Sequence, residues 1–359
     1  VSAGLPDFPW DSLAPAKAVA AAHPDGIVDL SIGTPVDPVP EVVRRALVAA
    51  ADSPGYPLTA GTPDLREAMA TWVARHCGAG TGQFDVLPTV GSKELVAALP
   101  ALLGIGPGDA VVIPSVCYPT YEVGARLAGA RVIRTDALTA AGPARVRLVW
   151  INSPGNPHGR VLPPAHLRKV VDWARERGAV VASDECYLSL PWEQTPQSVL
   201  SVCDGDLTGV LSVHSLSKRS NLAGYRAGLV AGDPALVGEL LAVRKHAGMM
   251  VPAPVQAAMA AALRDEEHVA AQRERYAARR AVLREALVAA GFRIDHSEAG
   301  LYLWATRDEP CWSTVDWFAA RGVLVSPGEF YGPAGDRHVR VALTATDERV
   351  AAAAGRLTA

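Results

Sequence analysis

At 359 residues, with 49% hydrophobic and 20% charged side chains, the chain is long and apolar enough to build two units around a large shared core, which excludes a disordered polymer. Its net charge of −3 and pI near 6.3 argue against a nucleic-acid-binding face driven by bulk charge. The longest uncharged apolar run, "LVAALPALLGIGPG", is broken by proline and glycine and too short to cross a bilayer, so no membrane partner is expected.

The opening "VSAGLPDFPWDSLAP" has neither a basic start nor an apolar stretch, and the expected location is the cytoplasm. The first 36 residues are rich in proline and are expected to fold back as an arm on the C-terminal part. From residue 86, short apolar runs alternate with amphipathic stretches. "DVLPTVGSKELVAALPALLGI" predicts strand, turn and helix, "DAVVIPS" a strand, "YEVGARLAG" a helix and "RVIRTD" a strand. There follow "VRLVWINSP" (strand), "PAHLRKVVDWARERG" (helix), "AVVASDE", "GVLSVHS" and "RAGLVAG" (strands). Continuously apolar strands separated by helices predict an α/β fold, a mostly parallel sheet covered by helices on both faces. In such sheets, ligands sit outside the carboxyl ends of the strands.

Beyond residue 254 a long helical stretch, broken once at most, ends at Gly291. Shorter, more polar elements then predict a smaller α+β unit. The expected division is 37–262 for the large unit, with 1–36 and 263–359 forming the arm and the small one.

Cys77, Cys117, Cys186, Cys203 and Cys311 are odd in number, scattered and without CxxC spacing. They fit free thiols in a reducing compartment, and no metal site is expected. Of 34 basic residues only Lys17, Lys93, Lys169, Lys218 and Lys245 are lysines. Where an arginine-rich chain keeps a lysine, imine chemistry, which a guanidinium cannot perform, becomes a candidate role.

Four strand ends carry unusual polar sets. "VGSKE" places Gly91, Ser92 and Lys93 at a helix start, which favours an anion or is an ordinary N-cap. "NSPGNPHGR" is a turn-forming cluster that contains Asn156. "ASDECY" leaves Asp184 at the end of an apolar strand, where a carboxylate needs a hydrogen-bonding or charged partner, such as an arginine. "HSLSKRSNLAGYRAGLVAG" crowds Lys218 with hydroxyls at Ser215, Ser217 and Ser220 and with Arg226.

Asp184, Tyr187, Lys218 and Arg226 in this order, with Asn156 upstream and Arg340 in "HVRVAL", resemble the class I/II, fold-type I aminotransferases that use pyridoxal 5'-phosphate. The likeness runs from "SIGTPVDPVP" through "GYPLTAGTPDLREA" to "VRVALT". The wording of "SDECY", "HSLSKRSNLAGYRAG" and "RKHAGMMVPAPVQAA" is most similar to actinobacterial N-succinyldiaminopimelate aminotransferases of lysine biosynthesis. The resemblance implies an aspartate-aminotransferase-like fold and a carbon–nitrogen double bond between Lys218 and the cofactor aldehyde. Asp184 would face the ring nitrogen, Tyr187 and Asn156 the ring 3' oxygen, and Tyr118 would stack on the ring. Gly91, Ser92, Lys93, Ser215, Ser217 and Arg226 would hold the phosphate.

Tyr56, in "GYP", resembles the phosphate-binding tyrosine supplied by the other subunit, which implies a homodimer with shared sites. Arg340 would clamp the substrate carboxylate, with Gly33 and Asn156 beside it. The expected partners are glutamate/2-oxoglutarate and an N-acylated amino-keto acid.

His158 stands where the family more often has threonine. It and His214 read as packing residues, because the family assigns proton transfer to the lysine. Cationic candidates for the distal end of the substrate are Lys93, Arg219, Arg244 and Lys245, each of which also reads as a phosphate neighbour or a solvated charge. Another amino acid:keto acid transaminase, a C–S lyase and a cofactor-sensing regulator share these motifs. A regulator of this kind is expected to carry an N-terminal DNA-binding domain, whereas a short, non-basic arm precedes "SIGTP", and a nicotinamide dehydrogenase is expected to show GxGxxG after an early strand, which is not seen.

Overall fold

The computed structural model describes residues 4–358. Seven strands form the large sheet in the order Asp85–Val90, Ala227–Gly232, Val210–Ser215, Val180–Asp184, Val146–Asn152, Ala110–Ile113, Arg131–Arg134. The last five run parallel, whereas Ala227–Gly232 is antiparallel to both of its neighbours. The connection before that strand holds only a one-turn helix, Leu216–Arg219, and a 3-10 turn. It is too short for the crossover that a parallel return requires.

The period-two alternation of each strand serves two different cores. Val112, Val149, Ile151, Val181 and Val210 pack with Leu65, Trp72, Leu167 and Met259. Val111, Ile113, Leu148, Trp150 and Val213 pack with Leu95, Leu99, Tyr121 and Leu240 on the opposite face. The strands are therefore apolar throughout because both faces are covered. The covering helices carry their own termini signals: Thr62 caps Pro63–Cys77 by accepting the Leu65 N–H at 3.2 Å, and left-handed Gly78 ends it.

The predicted long helix is two, Ala253–Arg264 and Glu267–Ala289, separated where Asp265 turns extended and its carboxylate accepts the Glu267 N–H at 3.0 Å. A four-stranded antiparallel sheet follows in the order Ser326–Pro327, Val339–Ala342, Tyr302–Thr306, Arg293–Ile294. The arm joins this part of the molecule. Val28–Asp29 pairs in parallel with Val323–Leu324, and Leu13, Ala16 and Ala20 share a core with Phe318, Leu287 and Leu303. The arm does contain one regular helix, Ala14–Ala21. All five cysteines are free, and none of the helices among the described residues is long and apolar enough to cross a membrane.

Candidate active site

The parallel register sets Asn152 beside Asp184 and Asp184 beside Val213, so that Asn156, Asp184 and Ser215, at or just beyond the ends of these three strands, line one cavity of about 320 Å³. Asp184 is buried there. Its Oδ2 accepts the Tyr121 hydroxyl at 2.7 Å and its Oδ1 the Cys186 N–H at 3.2 Å. Burial raises its pKa, a rise that these donors offset only in part. Among the described residues no arginine or lysine pairs with it, so the salt-bridge alternative falls away. The carboxylate faces the cavity with its charge uncompensated.

Lys218 follows the strand Val210–Ser215 in the one-turn helix Leu216–Arg219, whose first N–H groups are fixed by Ser215 Oγ accepting from Ser217 N at 3.1 Å. Its Nζ donates to the Gly33 carbonyl, and burial lowers the pKa of the amine. The Tyr187 and Tyr302 hydroxyls lie 3.2 Å apart at the cavity wall, and Tyr118 lines it as well.

Ser92 and Lys93, from the first turn of the helix Gly91–Leu102, line the same cavity together with Ser215, Ser217 and Arg226. Arg226 sits in the left-handed region (φ 56°), where its Nη1 donates to the Ala223 carbonyl at 2.9 Å, and it has no carboxylate partner among the described residues. A helix N-terminus, two serines and an unpaired guanidinium form a cradle for a dianion. An uncompensated carboxylate, an amine and this cradle around one cavity are the donor set that pyridoxal phosphate needs.

Gly91 opens the helix whose first turn carries Ser92 and Lys93. At φ 72° an added Cβ would overlap the Arg226 guanidinium, with Cζ at 2.8 Å. Gly91→Ala is expected to weaken cofactor affinity about 5- to 150-fold, from roughly 1–3 kcal/mol of strain, in a titration of the apoprotein with pyridoxal phosphate. Unchanged affinity would remove Gly91 from the cradle.

Arg340 enters from the strand Val339–Ala342. Its guanidinium donates to Asn156 Oδ1 at 3.0 Å and to the Ser31 carbonyl at 2.6 Å, and lies 3.9 Å over the Tyr302 ring. Its pKa is raised, with burial opposing the pull of Tyr331 and Tyr302. Its Nε has no partner in the protein. Gly33 is confined by Tyr302, since a Cβ would stand 2.8 Å from the ring carbon that bears the hydroxyl.

Tyr56 is the predicted residue that a single chain does not bring to the cavity: it is 94% exposed. Ser220 turns away, its Oγ 2.8 Å from His268 Nε2. Of the distal cations only Lys93 reaches the cavity. Arg244 is buried against Glu94 at 3.0 Å, and Arg219 lies behind the site. Phe8 and Trp10 of the arm line the mouth. Tyr121, Cys186 and Tyr302 escape sequence reading. His158 faces another cavity of similar size, and His214 is buried behind the sheet end, so neither reaches the site.

A family model described as aminotransferase class I and II matches residues 25–357. The chain is 66% identical to a probable aminotransferase of Mycobacterium tuberculosis over all of its length and 86% of that protein. It is 61% identical to the 4-dedimethylamino-4-oxo-anhydrotetracycline transaminase OxyQ of Streptomyces rimosus, covering 99% of each. Among solved structures, a probable N-succinyldiaminopimelate aminotransferase of Thermus thermophilus superposes with a TM-score of 0.87 at 29% identity, covering 97% of this chain and 99% of that one.

Proposed function

Since the chain belongs to the class I and II aminotransferases, we propose that it moves an amino group between glutamate and N-succinyl-2-amino-6-ketopimelate in diaminopimelate synthesis. The family's cofactor, pyridoxal phosphate, supplies an aldehyde and an electron-withdrawing ring when bound. The convergence of Lys218, Asp184 and the anion cradle on one cavity carries the transaminase reading. Lys218 holds the cofactor and moves the proton at the substrate Cα. Asp184 holds the ring nitrogen in its charged form, while Tyr187 and Asn156 serve the ring 3' oxygen and Tyr118 its face. Arg340 takes the α-carboxylate with a bidentate pair, beside Asn156 and Gly33.

The likeness to the Thermus structure and the motif wording support the succinylated acceptor. The 61% identity to OxyQ supports a second reading, a polycyclic ketone as acceptor. Two further features belong to this reading. The bared Tyr56 completes the cradle of a partner copy in a homodimer, and the chain divides into a large unit, 37–262, and a small unit with its arm.

Glutamate as donor, assayed against a panel containing N-succinyl-2-amino-6-ketopimelate and the oxo-anhydrotetracycline ketone, separates the two acceptors by kcat/KM. Preference for the ketone, or release of ammonia and pyruvate from a sulfur amino acid, overturns the diaminopimelate assignment.

Arg340→Lys is expected to raise KM for glutamate about 10- to 150-fold, the loss of a charge-assisted bond of roughly 1.5–3 kcal/mol. An unchanged KM takes Arg340 out of the carboxylate clamp.

A further inference from the structure

Behind the cavity lies a buried polar cluster that the proposed chemistry does not use. Each of its main members is the immediate chain neighbour of a site residue: Glu185 follows Asp184, His214 precedes Ser215, and Arg219 follows Lys218. In extended chain, neighbouring side chains point to opposite sides. Where Asp184 and Ser215 face the cofactor cavity, Glu185 and His214 therefore face away from it. Glu185 stays on the ladder, its N–H donating to the Val213 carbonyl at 2.8 Å.

The cluster is partly satisfied from within. Glu185 Oε1 accepts the Val199 N–H at 2.7 Å. His214 Nε2 lies 3.0 Å from Ser212 Oγ, 3.7 Å from Cys77 Sγ and 3.8 Å from Glu185 Oε2. The Arg219 guanidinium sits 5.1 Å over the Trp72 ring, and its nearest carboxylate oxygen, on Glu266, is 3.6 Å away. Glu185 Oε2, His214 Nδ1 and all three Arg219 nitrogens are left without a hydrogen-bond partner in the protein.

Glu185, His214 and Arg219 all line one small cavity of about 10 Å³, which Trp72, Leu216 and Leu263 line as well. That is the volume of about one water, which needs two to four polar partners. A water can donate to Glu185 Oε2 while accepting from Arg219, so its two polarities match the two kinds of unpaired atom. The Cys77, Glu185 and His214 ligand atoms lie within 4.8 Å of one another, as a metal would require. The adjacent guanidinium repels a cation and favours water instead.

We propose that Arg219, Glu185 and His214, joined through one ordered water in this cavity, are positioning residues for Lys218 and Asp184. The joint ties the turn that carries the amine to the strand end that carries the carboxylate, fixing their separation across the cofactor. This rests on the roles given to Lys218 and Asp184 above.

Glu185→Gln and Arg219→Met test it. Both are expected to weaken uptake of pyridoxal phosphate by the apoprotein at least fivefold and to lower kcat at least tenfold. KM for glutamate should move less than twofold, and Arg219→Lys should keep more affinity than Arg219→Met. Folded variants that bind cofactor and turn over like the wild type overturn the proposal.

Because a buried substitution can prevent folding, a high-resolution crystal structure of the wild-type holoenzyme gives an independent reading. The expected result is one solvent peak within 3.2 Å of Arg219 and of Glu185 or His214. No peak, or a peak with the anomalous signal of a metal, overturns the proposal. Wild-type protein that takes up no cofactor overturns the site assignment along with it. Normal wild-type uptake with unperturbed variants overturns the network alone.

Discussion

Lys218→Ala is expected to lower transamination with glutamate by about 10⁴-fold or more, and to abolish the absorbance near the visible edge that the cofactor acquires on joining an amine. Positioned acid–base catalysis contributes about 10²- to 10⁴-fold by itself, and the covalent tether is lost with it. The phenols and the thiol of the cavity offer no substitute base. Burial pushes the Tyr118 phenol up to about 12 and holds the Tyr187 phenol and the Cys186 thiol well above their ordinary values, so all three keep their protons near neutrality. Lys93, the other amine in the cavity, projects from the cradle helix with its Nζ 5.6 Å over the Phe8 ring. His158 and His214 line other cavities. Steady-state turnover, the visible spectrum, and borohydride reduction followed by peptide mapping check this. Full activity in the variant, or a wild-type adduct at another residue, refutes the assignment.

What the sequence reveals of this site follows the range of the interactions. The central strands are legible because they are covered on both faces and therefore largely apolar, and Asp184 stands out because a carboxylate interrupts that pattern. Lys218 stands out for its hydroxyl-rich, glycine-bracketed setting. Tyr121 does not, because in the helix Thr120–Leu127 it reads as one more core aromatic stacked on Trp150. Its hydroxyl meets Asp184 only after the sheet has assembled. Tyr302 is hidden in the same way on a short apolar strand.

Side-chain direction is hidden for the same reason. Arg219 and Arg244, candidates for the distal substrate end that read equally as phosphate neighbours or solvated charges, are both turned inward by packing, and Ser220 Oγ lies 2.8 Å from Nε2 of His268, 48 residues away. The direction of Ala227–Gly232 is set by the length of the connection before it, which is visible in sequence only once Leu216–Arg219 is known to be a single turn.

Asp184→Asn separates the charge of this position from its shape. The amide keeps the side-chain volume, and its oxygen can still accept the Cys186 N–H now held at 3.2 Å by Oδ1. The amide nitrogen would then face the Tyr121 hydroxyl, which can rotate to accept. The hydrogen-bond frame survives, but the negative charge facing the cavity is gone. Leaving a buried cation without its partner costs about 3–5 kcal/mol. Without the carboxylate, position 184 would no longer hold the ring nitrogen in its charged form, and the cofactor would supply less electron withdrawal. Each decade of rate is about 1.4 kcal/mol, so kcat is expected to fall about 10²- to 10⁴-fold. Lys218 remains, so the variant should still take up the cofactor and show absorbance near the visible edge, unlike Lys218→Ala. Single-turnover kinetics with glutamate, read at that absorbance, distinguish slow chemistry from failed binding. A kcat within threefold of wild type would show that the charge at position 184 is not what activates the ring.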